Sequence, residues 1–171
     1  MSRSTVLRIA YALLTLSVLL LDQATKAMVA SRMTLFSSAP VLPGLFHITL
    51  VRNKGALFGL LQDLPDPYRS TLFTVVPVLA IVLMLVFQYR TTIRDLATQT
   101  GLALILGGAF GNLVDRLRLG YVVDFLDVFL GEHHWPAFNV ADSCISVGVV
   151  LLLFDLLARS WHRQPALPPG C

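Results

Sequence analysis

The chain has 171 residues, of which 56% are hydrophobic and only 13% charged, with a formal net charge of +3. At a mean hydropathy of +0.73 it cannot cover a compact water-soluble fold with polar surface, so the composition excludes an ordinary cytosolic domain and points to a polytopic membrane protein. The excess positive charge lies mostly between apolar runs, as flanks of membrane spans do, and no basic run interleaved with aromatics suggests nucleic acid.

The N-terminal run MSRSTVLRIAYALLTLSVLLLDQATKA has the outline of a secretory signal, with Arg3 and Arg8 before an apolar core and small residues at Ala24 and Ala27. Three further apolar spans and no soluble cargo favour a retained first span, expected over 8–28. It ends in LDQATK, where Asp22 and Lys26 are four apart and share a helix face. Taken alone, that pair reads as an interfacial salt bridge with a snorkelling lysine.

From 33 to 69 the pattern changes. Pro40, Pro43 and Gly44 mark turns, and Phe46, Ile48 and Leu50 alternate with His47, Thr49 and Val51, which is the period of a strand. Asn53-Lys54-Gly55 reads as a turn, with the apolar run 56–61 after it and a closing segment from Asp63 to Pro67. The expectation is a small amphipathic sheet or hairpin at the membrane surface, too short to have its own core.

A second span is expected over 71–89, with Pro77 tolerated where neighbouring helices re-satisfy the backbone. The third is expected over 98–117, with Gly120 as a natural stop. Within it Gly107 and Gly111 form a small-xxx-small pair that lets helices approach closely. Asn112, Asp115 and Arg116 follow on one face, and Asp115 is expected to pair with Arg116, Arg118 or a helix end.

Residues 121–137 leave and re-enter the membrane, and the fourth span is expected over 140–158. Four spans put both termini on one side. The termini and the connection near Arg90 and Arg94 carry six Lys/Arg packed close to the spans, and the two longer connections carry seven spread thinly. By density the former are cytoplasmic, which places Asp124 and Asp142 at the outer face.

The polar residues around the last two spans need partners or a task, because such groups are costly beside membrane-length apolar runs. Two carboxylates that share a proton can hydrolyse a peptide bond, one taking a proton from water and the other giving one to the carbonyl oxygen. Asp124 (VVDF) and Asp142 (FNVADS) are candidates for that pair. FNVADS also reads as a plain helix start, with Asn139 as N-cap and Asp142 at N3. Asp127 and Glu132 read as solvated loop acids, and Ser143 as bonded within the helix end. His133 and His134 lack the spaced partners a metal needs, and Cys144 and Cys171 do not make a disulfide framework.

Taken in order, LDQATK, VRNKGALF, GGAFGNLVDR, VVDF and PAFNVADS resemble the lipoprotein signal peptidase (signal peptidase II) family over nearly the whole chain. The resemblance implies an all-α polytopic membrane protein, one integral domain over 1–171 with four transmembrane helices and a small extracytoplasmic β segment over 33–69. It implies an aspartic endopeptidase without metal or cofactor, with Asp124 and Asp142 as the catalytic dyad. Asn53, Gly108, Asn112, Arg116 and Asn139 would contact or orient the substrate, and Asp22 and Lys26 would support the fold. The substrate would be a diacylglyceryl-modified prolipoprotein, cut on the N-terminal side of its lipidated cysteine by a monomer in the lipid of the bacterial inner membrane. The alternative from the residues alone is a small proton-coupled transporter or channel, against which stand the clustering of acids at one face and the lack of an inverted repeat.

Overall fold

The computed structural model describes residues 1–55 and 65–162. Four helices, α1 (Arg3–Arg32), α2 (Asp66–Arg90), α3 (Leu96–Leu119) and α4 (Val140–His162), are each long and apolar enough to cross a membrane. All four extend beyond the spans expected from hydropathy, because polar residues at their ends continue the helical hydrogen bonding. The side chain of Ser2 caps α1 by accepting from the Thr5 N–H at 3.2 Å. Pro67 sits in the first turn of α2, where its missing N–H costs nothing, and Pro77 stands inside the helix. Gly120 ends α3 in the left-handed conformation, φ 76°.

The bundle is organised on α3, which packs on α4, α1 and α2, whereas α1 and α2 hardly touch each other. Glycine makes this approach possible. A Cβ on Gly107 would stand 2.7 Å from Val18 Cβ of α1, and one on Gly148 of α4 would stand 2.6 Å from the Gly101 carbonyl oxygen.

A four-stranded antiparallel sheet in the order β1-β2-β3-β4 caps one end of the bundle, formed by Ser38–Leu42, Phe46–Asn53, Val122–Leu130 and His133–His134. Only its first half lies within the 33–69 segment. The second half is the connection between α3 and α4, where the sequence predicts only a passage out of and back into the membrane. Its strand character was hidden because Val122, Val123, Asp124 and Phe125 are buried in succession, so polar and apolar residues do not alternate. Val29 at the end of α1, Leu50, Val123 and Phe125 form the small core that seats the sheet on the bundle. The apolar run 56–61, Asp63 and Cys171 lie outside the described residues.

Candidate active site

Strand pairing brings the first two site residues together. Val51 stands opposite Asp124, so Asn53, two residues further along β2, is a diagonal neighbour on the same face. The Asn53 side chain is oriented by the turn that follows it: Oδ1 accepts the Gly55 N–H at 2.9 Å, which leaves Nδ2 to donate to Asp124 Oδ2 at 2.9 Å. Gly55 lies at φ 93°, a conformation that favours glycine.

The start of α4 supplies the other carboxylate. Asn139 Oδ1 accepts from the Asp142 N–H at 2.9 Å, and Asp142 Oδ2 accepts from the Asn139 N–H at 3.3 Å, a reciprocal capping box. Capping and site formation turn out to be the same arrangement. With Oδ1 spent on the cap, Asn139 Nδ2 donates across to Asp124 Oδ1 at 2.7 Å. One fully buried asparagine therefore bonds to both carboxylates.

Asn112 of α3 is the second bridge. Its Nδ2 donates to Asp142 Oδ1 at 2.7 Å, while its Oδ1 accepts from Lys26 Nζ at 2.9 Å and Asn139 Nδ2 at 3.2 Å. Each oxygen of Asp124 and of Asp142 thus accepts one N–H, in every case from an asparagine. Burial disfavours the Asp124 carboxylate, and nearby Asp142 adds like-charge repulsion. Together these outweigh the Asn53 and Asn139 hydrogen bonds and raise its pKa from the ordinary 3.8 to about 6.

Beneath the pair lies a buried ionic cluster. Lys26 Nζ stands 2.8 Å from Asp22 and 3.0 Å from Asp115. It is only 3% exposed, so the pair with Asp22 is not interfacial and the lysine does not snorkel. Asp115 does not pair with Arg116 or Arg118; Lys26 and Gln23 Nε2, at 2.9 Å, are its partners. Both acids also accept from backbone, Asp22 with its other oxygen and Asp115 with the same oxygen that meets Lys26. Asp22 Oδ1 accepts the Ala141 N–H at 2.9 Å, and Asp115 Oδ2 accepts the Val123 N–H at 3.0 Å. Ala141 precedes Asp142 and Val123 precedes Asp124, so one lysine and two acids pin the backbone beside both carboxylates.

Gln23 and Asp115 are the residues the sequence reading did not place in the site. Their signal was faint: Gln23 lies between Asp22 and Lys26, and Asp115 is one helical turn from Asn112. Gly108, expected to contact or orient the substrate, lies against the Ala141 carbonyl at the start of α4, and a Cβ there would also stand 2.8 Å from Ile145. The missing side chain lets α4 approach α3 at this point. The Arg116 guanidinium feels the charges of Asp142, Asp124 and Asp115, yet among the described residues it makes no hydrogen bond or ion pair. With Asn53 it borders a narrow cleft of about 20 Å³ between the sheet and α2. Asp127 is not a free loop acid, since it lies in β3 and bonds to His134 Nδ1 at 2.9 Å. Ser143 Oγ donates to the Asn139 carbonyl at 2.9 Å, within the helix end.

The family model described as signal peptidase (SPase) II matches residues 14–158. The lipoprotein signal peptidase of Syntrophus aciditrophicus is 50% identical over 147 residues, covering 86% of this chain and 91% of that protein. That of Geobacter sulfurreducens is 49% identical over 148 residues, covering 86% and 91%. A bacterial membrane enzyme solved by the in meso method at 2.3 Å resolution superposes with a TM-score of 0.78 at 31% identity, covering 94% of each chain. Four apolar helices with buried carboxylates at one end thus have the architecture of a bacterial membrane peptidase of the aspartic class. The chain belongs to the signal peptidase II family.

Proposed function

We propose that Asp124 and Asp142 are the catalytic dyad with which this chain removes the signal peptide from diacylglyceryl-modified prolipoproteins, on the N-terminal side of the lipidated cysteine. The observation that carries this reading is the joint hydrogen bonding of both buried carboxylates by Asn139, with Asn53 and Asn112 holding their outer oxygens. The raised pKa of Asp124 favours a pair that holds one proton near neutral pH. In the reaction the ionised carboxylate takes a proton from water as the water oxygen attacks the scissile carbonyl, and the protonated one donates to the carbonyl oxygen. Return of a proton to the amide nitrogen then breaks the C–N bond. The Arg116 guanidinium, a cation beside the dyad with no hydrogen-bond partner among the described residues, would meet developing negative charge or a polar group of the substrate. Asp22, Lys26, Asp115 and Gln23 act through the backbone they hold.

The enzyme acts in this reading as a monomer in the bacterial inner membrane, with both termini cytoplasmic and the dyad at the outer face. Charge density along the chain supports that orientation. Single cysteines at positions 92 and 133, labelled from the outer side, test it: labelling at 133 alone is expected, and labelling at 92 alone overturns it. The function itself is tested with purified protein in detergent and a lipidated prolipoprotein. Cleavage without any ion gradient is expected, and a requirement for a gradient would favour the proton-coupled transporter instead.

A further inference from the structure

The narrow cleft bordered by Asn53 and Arg116 adjoins a larger chamber of about 340 Å³, and Lys54, Ser70, Gly120 and Tyr121 line both. The cleft has room for about one water, whereas the chamber has the size of a small-ligand site. Position along α3 gives the chamber its direction. Asn112 holds Asp142, and Leu119 and Gly120, which border the chamber, lie further along toward the end that the sheet caps. At about 1.5 Å per residue the chamber stands roughly 10 Å beyond Asn112. An extended chain covers that distance in about three residues. An apolar signal peptide stays among the helices, so the part of a substrate that reaches the chamber is the first stretch of the mature chain.

The charge of the chamber is one-sided. Lys54 is exposed, and among the described residues it makes no ion pair or hydrogen bond. Arg69 lines the chamber as well, and among the described residues no acid does. The Arg52 guanidinium stands 5.0 Å over the Tyr121 ring, which forms part of the wall. The backbone on either side of Lys54 is fixed, since Asn53 bonds to Asp124 and Gly55 lies so close to Phe73 of α2 that a side chain there has no space. A recess lined by one sign of charge concentrates groups of the other sign. We infer that Lys54 is a specificity residue that favours prolipoproteins with an aspartate or glutamate at the second or third residue of the mature chain, the lipidated cysteine being the first. The carboxylate pairs with the Lys54 ammonium in the chamber, away from the scissile bond. Its effect therefore falls on KM and leaves kcat alone. The inference rests on the peptidase activity proposed for the dyad.

Two lipidated prolipoproteins test it, one with aspartate and one with asparagine at both positions, cleaved by the purified full chain in detergent at low and high salt. The wild type is expected to show a KM about threefold to fivefold lower for the aspartate substrate at low salt, the scale of one partly exposed ion pair, with kcat the same for both. The preference should shrink at high salt, where screening shortens the reach of the charge. Lys54→Gln should erase the preference and leave cleavage of the asparagine substrate unchanged, while Lys54→Arg should keep it. Arg118→Gln, which removes an exposed cation lining a different cavity beside α1, should also keep it, so that local pairing is told apart from net charge. Equal KM for the two substrates in the wild type, or a preference that survives Lys54→Gln, overturns the inference and leaves the peptidase activity standing. Failure of the wild type to cleave either substrate overturns both. Added phosphatidylglycerol that raises KM for both substrates alike in the wild type, and not in Lys54→Gln, assigns the chamber to a lipid headgroup and overturns the inference as well.

Discussion

Helices α2 and α3 are of nearly equal length, 24 residues each in their membrane-spanning portions, yet they use opposite chemistry. The most apolar window of α2 has a mean hydropathy of 2.6 with 6% of its residues buried inside the protein, whereas that of α3 has 1.2 with 61% buried. In a soluble protein the more apolar helix would be the more buried. In a bilayer the lipid is as apolar as leucine, so burial inside the protein follows small and polar residues that pack or hydrogen-bond with other helices. Helix α3 carries Gly101, Gly107, Gly108 and Gly111 for contact, and Asn112 and Asp115 for the site. Helix α2 presents Leu79, Leu83 and Phe87 outward.

The contrast is broken most severely at the residues that the polar end of α3 supports. Asp124→Asn and Asp142→Asn should each lower cleavage by at least about a thousandfold while the protein remains folded, and the double variant should be little worse, since members of one catalytic unit are not additive. Glu132→Gln, an exposed acid, should stay within about twofold on the same assay. Initial rates on a lipidated prolipoprotein decide it, and retained turnover in either asparagine variant would leave the capping box as the sole role of FNVADS.

Next comes the ionic cluster. Lys26→Met leaves Asp22 and Asp115 buried without their counter-ion and should cost about 3–5 kcal/mol of stability, measured by unfolding in mixed micelles. A variant as stable as the wild type would show that backbone N–H donors alone support the two acids. The Asp124 carboxyl gives a smaller, pH-dependent effect. Its folded pKa of about 6 lies above the ordinary 3.8, so the folded state binds the proton more tightly. Its contribution favours folding at low pH and is lost as pH rises from about 4 through 6, a change of roughly 3 kcal/mol that Asp124→Asn should flatten. Cleavage should in turn follow a bell in pH whose two apparent pKa values belong to the pair.

The smallest effects sharpen the helix comparison directly. Gly148→Leu forces a side chain against the Gly101 carbonyl across α3 and α4 and should cost about 1–3 kcal/mol. Leu83→Ala, at a position of α2 that is 69% exposed, should change stability by less than about 0.5 kcal/mol. Equal losses from the two would mean that α2 is packed against something beyond this chain.

Much of the site was legible as motifs, and the reason is local. The Asn53 turn, the FNVADS capping box and the Gly120 stop are each built from residues within a few positions of one another, so the side chains declare their geometry. Lys26 was legible as a partner of Asp22, yet not as a partner of Asp115 and Asn112, which lie 89 and 86 residues away. β3 was missed because buried strands lose the alternation by which half-exposed ones are recognised.

The sequence by itself determined that this chain crosses a membrane with four helices, because apolar length and charge flanks are set by solvent and need no knowledge of neighbours. It also determined the family, since the polar motifs stand in order along nearly the whole chain. Only the tertiary structure decided that Asn139 joins the two carboxylates, and that Asp22 and Asp115 hold the residues just before them. The same is true of Gly108, which serves helix approach. These are matters of which buried groups meet, and a buried polar group takes whichever partner the packing brings within about 3 Å, however far apart the two lie in sequence.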